Sequence, residues 1–325
     1  MKENIIRFVF AAVLLMALQM FLFSQEKLKI AVIPKSSTAL FWKSVHSGVR
    51  LGSLALGDVE VAWKATSKEN DIAQQIATLE QCVSEGVSAI IIAPLDKEAL
   101  AGPVAKATKK KIPVLVFDSA LKGTPGKDYI SFVGIDNKKA GIIAGEQMAK
   151  MLGGKGNIVI LRYKATQSNN ITSREEGFLE VIAKYNNIHV NEKDHFVSGT
   201  VADAKDECMK IADKLKGADG IFCSYEQSTL GMLLALQNLD LAGKVKFVGF
   251  DTPAPAVEAL KKGEISALIA QDPARMGYLC IKTIVDHIRG KKIPLNVNVE
   301  VRVITRDNLN DPDIQKVLAL PSISD

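Results

Sequence analysis

The chain has 325 residues, 47% hydrophobic and 24% charged, with four cysteines and a formal net charge of +5. That length holds two domains with a core in each, and the balance is that of an ordinary globular protein, not a disordered or fibrous one. The charge is modest, and the one dense basic run, Lys109 to Lys111, ends a helical pattern where cations suit the helix dipole, so a nucleic-acid surface is excluded.

Residues 1–24 read as a signal peptide. Lys2 and Arg7 flank the start, and residues 8–23 are apolar apart from Gln19, short of the roughly 20 residues of a spanning helix. Cleavage is expected near Ser24, with an uncleaved anchor as the alternative. No cysteine stands near the end of this segment, which argues against a lipoprotein anchor.

The folded chain begins near Lys27. Apolar spacing predicts strand 28–33, a polar turn over Lys35, Ser36, Ser37 and Thr38, helix 41–54, strand 59–65 and helix 70–84. Strand 87–93, helix 96–108 and strand 113–117 then form a βαβ unit whose apolar runs read as strands buried on both faces. Strand 129–134 follows, and Asp136 or Asn137 caps the next helix. A second series continues with helix 138–152, strand 157–162, a polar loop 163–172, helix 173–185, strand 188–196, helix 201–215, strand 220–224 and helix 229–239. Strand 245–250, helix 254–262, strand 265–270, helix 272–289 and strand 297–304 complete it. This alternation implies an α/β fold with parallel sheets.

The two halves echo each other. The tail VLVFD at 114–118 matches FVGFD at 247–251, and residues 87–96 match 218–227. In open parallel sheets, polar residues just past the carboxyl ends of strands face the ligand crevice. Two such lobes predict a cleft between them, lined by Pro94-Leu95-Asp96, Asp118-Ser119, Tyr225-Glu226-Gln227, Asp251 and Gln271.

Signals for catalysis are weak. Gly153-Gly154-Lys155-Gly156 follows a helix and precedes a strand, the reverse of a phosphate loop, and reads as a helix C-cap. Neither G-x-S-x-G nor H-E-x-x-H occurs, and the four histidines are scattered. No enzyme, cofactor or metal is expected. Cys82, Cys208, Cys223 and Cys280 sit among apolar residues without a C-x-x-C pair and read as buried thiols.

Seven stretches in order carry a family resemblance: Phe41-Trp42, IIIAPLDKEAL, KIPVLVFDS, FVGIDNKKAG, SREEGF, FVGFDTP and ALIAQDPARMGY. They resemble the periplasmic sugar-binding proteins of ABC importers, the ribose-binding-protein-like group within type I periplasmic binding proteins. The resemblance implies two Rossmann-like lobes joined by a three-strand hinge, one of residues 26–134 plus 271–296 and the other of 135–270 plus 297–325. It also implies an exported, periplasmic monomer that captures a small sugar or polyol-like ligand by hinge closure and delivers it to a permease. A chemoreceptor or sensor kinase, with autoinducer-2 as a further ligand, is the alternative. Lactose-repressor-type regulators share the fold but carry a DNA-binding segment where this chain has its apolar leader.

By motif, Phe41 and Trp42 match the aromatic pair that sandwiches a sugar ring. Asp118 matches the first-lobe aspartate for sugar hydroxyls, and Arg174 lies near the cleft arginine. Asp251 and Gln271 match a cleft aspartate and glutamine. Ser119 stands where the ribose binders have arginine, Tyr225 and Ala39 where they have asparagine, which sets the chain apart from ribose binding itself. The chemistry agrees independently: carboxylates accept from hydroxyls, arginine donates in a fork, glutamine does both, and aromatic faces cover the C–H face of a ring.

Overall fold

A computed structural model describes residues 27–37, 40–65, 71–163, 169–197 and 199–319. The expected signal peptide and Ala39 lie outside the described residues.

The first lobe is built from β1 (Leu28–Ile33), α1 (Leu40–Leu56), β2 (Val59–Trp63), α2 (Ile72–Glu85), β3 (Ala89–Ile92), α3 (Ala101–Lys109), β4 (Val114–Phe117) and β5 (Ser131–Gly134). The second runs through α4 (Asn137–Met151), β6 (Lys155–Tyr163), α5 (Asn169–Ile182), β7 (Asn187–Val197), α6 (Val201–Lys210), α7 (Ala212–Lys216), β8 (Gly220–Cys223), α8 (Glu226–Asn238), β9 (Lys246–Phe250), α9 (Ala254–Lys262) and β10 (Ala267–Ala270). Then α10 (Pro273–Ile288) and β11 (Asn296–Asn298) return to the first lobe, while β12 (Arg302–Ile304) pairs with the second, followed by α11 (Pro312–Leu318).

Each sheet has six strands, in the order β11-β5-β4-β3-β1-β2 and β12-β10-β9-β8-β6-β7. All pairings in the first are parallel, and in the second only the β10–β12 pairing is antiparallel. Strand alternation sorts the apolar side chains onto two faces. Ile30, Val32, Ile91, Leu115 and Phe117 pack towards α1 and α10, and Ala31, Ile33, Ile90, Ile92 and Val116 towards α2 and α3. The first of these clusters continues through Val133 and Ile135 into Ala140, Ala144, Phe178, Phe222 and Phe250, so one apolar core passes behind the hinge from lobe to lobe.

Close helix crossings repeat in both lobes. A Cβ at Gly48 would lie 1.8 Å from the Ala274 carbonyl oxygen of α10, and one at Gly141 would lie 1.9 Å from the Arg174 carbonyl oxygen of α5. Only hydrogen at these positions lets the backbones approach so closely. The Gly141 crossing fixes the helix turn that carries Arg174.

The boundaries shift where local bonding overrides periodicity. The helix expected from 96 begins at Ala101, because the Asp96 carboxylate accepts from the Glu98 and Ala99 amides and folds a turn there. The helix expected over 201–215 breaks at Ile211, which leaves helical geometry at φ −107° and ψ 23°. The expected last strand divides between the two sheets. Its alternation at Val297, Val299, Val301 and Val303 is the same whether the chain stays in one sheet or crosses, and it crosses after Asn298 rather than at 296. The expectations for the glycine run and the cysteines hold. Gly153 and Gly154 take φ of +59° and +77° and close the C-terminus of α4, and the four cysteines are free and buried. Among the described residues no helix is long and apolar enough to cross a membrane.

Candidate functional site

Two aspartates mark the site. Asp118 follows β4 and Asp251 follows β9, and both adopt left-handed backbone, with φ of +59° and +64°. Each amide donates to the end of the neighbouring strand, Asp118 to the Val133 carbonyl and Asp251 to the Ile269 carbonyl, both at 2.9 Å. Aspartate tolerates this conformation better than most residues, but it remains a strained choice that aims the side chain off the strand end. The echoed tails at 114–118 and 247–251 thus fold into equivalent corners.

In the first-lobe corner, Lys35 from the end of β1 places its ammonium 2.8 Å from Asp118 Oδ2 and also bonds Ser119 Oγ. Ser119 Oγ donates to Asp118 Oδ2 at 2.8 Å. From the second lobe, the Asn170 Nδ2 of α5 donates to the Asp118 carbonyl at 2.9 Å and to Ser119 Oγ at 3.1 Å. All of Asp118, Ser119 and Asn170 are buried.

The second-lobe corner centres on Arg174, which is 4% exposed. Its Nε donates to Asn137 Oδ1 at 2.8 Å, an NH group donates to the Ser224 carbonyl at 3.0 Å, and the guanidinium lies 3.9 Å above the Phe250 ring. Burial lowers its pKa, opposed by the negative charges of Asp251 and then Asp118. Burial likewise pushes Asp251 upward, opposed by Arg174 and by the hydrogen bond from Gln271. Gln271 Nε2 donates to Asp251 Oδ1 at 2.7 Å. Gln271 Oε1 is buried with no hydrogen-bond partner among the described residues. A buried acceptor left unsatisfied costs about 1–3 kcal/mol, so this oxygen is an open socket for a donor.

Glu175, next to Arg174 in the chain, is a further buried carboxylate. Glu175 accepts from Arg162 Nε at 2.9 Å, the Tyr163 amide at 3.1 Å and Ser224 Oγ at 3.0 Å. Burial raises its pKa, with Arg162 foremost among the groups that oppose the shift. Since Ser224 bonds Arg174 through its carbonyl and Glu175 through its hydroxyl, this network holds the loop after β8 against α5.

The structure brings Asp118, Ser119, Arg174, Asp251 and Gln271 to facing strand ends and helix starts. Trp42 is 5% exposed and packs edge-on to Phe117, whereas Phe41 is only half-buried and meets Trp42 edge-on at 5.0 Å between ring centres. Tyr225 is buried in the second lobe's outer core, edge-on to Tyr163, and burial pushes its phenol well up. Asp96 is occupied in capping its own turn, as above. Lys35 lies in a stretch whose sequence implies only a polar turn. Asn170 fell in the expected loop 163–172, because α5 begins at Asn169 rather than at 173. Neither Glu175 nor Asn137 carried a signal of its own: Glu175 merely follows Arg174, and of the two candidate caps of α4 it is Asp136 whose carboxylate accepts from the Lys139 amide, with Asn137 as the first helical residue. Among the described residues no group of His, Cys, Asp or Glu is arranged to hold a metal.

The raised value of Asp251 has a signed consequence. The native state holds this proton more tightly than the unfolded chain. Stability from this group is therefore full below the ordinary aspartate range and is lost as pH rises from about 4 through the raised native value. A hydroxyl donating to the carboxylate needs the opposite, so ligand affinity is expected to fall as pH drops through the same window. Titrating affinity against pH should show that fall in the native protein and a flatter profile in Asp251→Asn.

The family model for a periplasmic binding protein domain matches residues 30–292. The ribose import binding protein of Haemophilus influenzae is 29% identical over 242 residues, covering 73% of this chain and 78% of that protein. The xylitol-binding protein of Mycolicibacterium smegmatis is 30% identical over 261 residues, covering 78% and 70%. Among solved structures, a carbohydrate transporter solute-binding protein from Agrobacterium radiobacter in complex with D-arabinose superposes with a TM-score of 0.83 at 30% identity. It covers 91% of this chain and 100% of that one. With its two α/β lobes and a family match over most of its length, the chain belongs to the periplasmic binding protein domain family.

Proposed function

We propose that this protein is a solute-binding component of an ABC importer that captures a monosaccharide or a related polyol between its lobes. The observation that carries this reading is the facing pair of strand-end aspartates with Arg174 between them and the orphan Gln271 Oε1 beside Asp251. Lys35 and Arg174 balance Asp118 and Asp251, which favours a neutral ligand over an acidic one. The open acceptors call for donors, and hydroxyls supply them. Phe41, at the exposed end of α1, offers an aromatic face for the C–H side of a ring. Relatives named for ribose and xylitol and a neighbour solved with D-arabinose support the same class.

In this reading residues 1–24 direct export and the mature chain works in the periplasm as a monomer. The lobes, 26–134 plus 271–298 and 135–270 plus 299–325 once the last crossing is set after Asn298, close about the three crossings, and the permease recognises the closed form. Catalysis has no part in the scheme.

The test is thermal unfolding of the mature chain against pentoses, hexoses, polyols, nucleosides and autoinducer-2. A ligand at 100 times its dissociation constant should add about 2.7 kcal/mol of stability. Stabilisation by a sugar or polyol is the expected result. Stabilisation by a nucleoside or autoinducer-2 alone would keep the fold and overturn the ligand class.

A further inference from the structure

Glu175 is 1% exposed, and both of its carboxylate oxygens are committed within the second lobe. Oε1 accepts from the Tyr163 amide and from Ser224 Oγ, and Oε2 accepts from Arg162 Nε. Arg162 and Tyr163 end β6, Ser224 follows β8, and these two strands are neighbours in the sheet. The Arg162 guanidinium also lies 5.2 Å from the centre of the Phe196 ring, near the end of β7. One carboxylate on α5 thus gathers the carboxyl ends of three adjacent strands. A buried ion pair is seldom more stabilising than apolar packing of the same volume, so stability alone gives no reason for Glu175 and Arg162.

Adjacent residues on a helix do not face each other, and Arg174 and Glu175 meet Ser224 at different atoms. Glu175 accepts from its hydroxyl, and Arg174 donates to its carbonyl. Ser224 is fully buried, so neither group has water to fall back on. We propose that Glu175 is a positioning residue of the binding site: it ties the ends of β6 and β8 to α5 and so holds the Ser224 carbonyl where Arg174 donates to it, directing the guanidinium without touching the ligand. Arg174 carries the positive charge that offsets Asp251, so a displaced Ser224 is felt at the pair that faces the cleft. The effect on affinity rests on the sugar-binding reading, whereas the geometry lies wholly within the second lobe.

The test reads Arg174 in the mature chain by the nitrogen–proton NMR signal of its Nε–H group, assigned by its loss in Arg174→Lys. Without sugar, Glu175→Gln keeps the side chain's shape but sets a donor against Arg162, and it should shift this signal and speed its exchange with water. Ser224→Ala removes the hydroxyl and keeps the carbonyl. It should act in the same way, and it stands in if Glu175→Gln fails to fold. Affinity for D-arabinose or xylitol, measured by calorimetry, should weaken about tenfold in both, the scale of one hydrogen bond to a charged group. Ile182→Val, in the core face of the same helix, should lower the melting temperature and leave both readouts in place. An Arg174 signal that moves no more in Glu175→Gln and Ser224→Ala than in Ile182→Val, or an affinity unchanged in both, would overturn the inference. Failure of both D-arabinose and xylitol to bind the native chain would count against the sugar reading alone, because the Arg174 signal is read without them.

Discussion

Replacing Arg174 with methionine should lower the unfolding free energy by about 3–5 kcal/mol and abolish ligand-induced stabilisation. The guanidinium is almost fully enclosed, and its removal takes away two hydrogen bonds, a contact with the Phe250 face and the positive charge that offsets Asp251. Methionine fills most of the volume but leaves the Asn137 Oδ1 acceptor and the Ser224 carbonyl without that donor. Asp251 then bears its burial with only Gln271 and a backbone amide to oppose it. The double variant Arg174→Met with Asp251→Asn should recover part of the loss, because no buried charge is left uncompensated. Urea unfolding of both variants measures this. A single variant as stable as the native chain would show that Arg174 does not offset Asp251.

The second large effect lies at the helix crossings. Gly141→Ala forces a Cβ to within 1.9 Å of the Arg174 carbonyl oxygen, and Gly48→Ala forces one to within 1.8 Å of the Ala274 carbonyl oxygen. Neither neighbour is a flexible side-chain tip, so the helices must part. Overpacking of this kind costs roughly 1–3 kcal/mol, at times more. Gly141→Ala should also weaken ligand binding, since α5 moves at the residue that carries the site's arginine. Gly102→Ala, in α3 with open space around the added methyl, should be neutral or stabilising by up to about 1 kcal/mol. Melting curves for the three variants give the order, and equal stability for Gly141→Ala and Gly102→Ala would contradict the close-crossing account.

Much of this architecture is legible in the sequence because buried parallel strands write themselves as short apolar runs with polar stops. The runs ending at Asp118 and Asp251 locate both corners without a structure, and the echo between them implies two lobes. The corner chemistry is less legible. Lys35 reaches Ser119 across 84 positions and Asn170 reaches it across 51. No periodicity encodes which polar side chains at different strand ends and helix starts will meet. Ser119 illustrates the gap: its place after Asp118 is plain from the chain, but the saturation of its hydroxyl depends on two residues from other elements. Phe41 and Trp42 show a related limit, since adjacency on a helix guarantees that they diverge but not which one turns inward. The divided last strand fails for a different reason: a valine at every second residue satisfies either sheet.

That facing carboxylates in the interlobe cleft bind a hydroxylated ligand is tested most directly by titration calorimetry of the mature chain. The sugar that stabilises the native protein should bind one to one. The heat should vanish in Asp118→Ala and in Asp251→Ala, each checked for intact folding by its circular dichroism. Undiminished binding in both variants, or no binding of any sugar or polyol by a folded native chain, would contradict it.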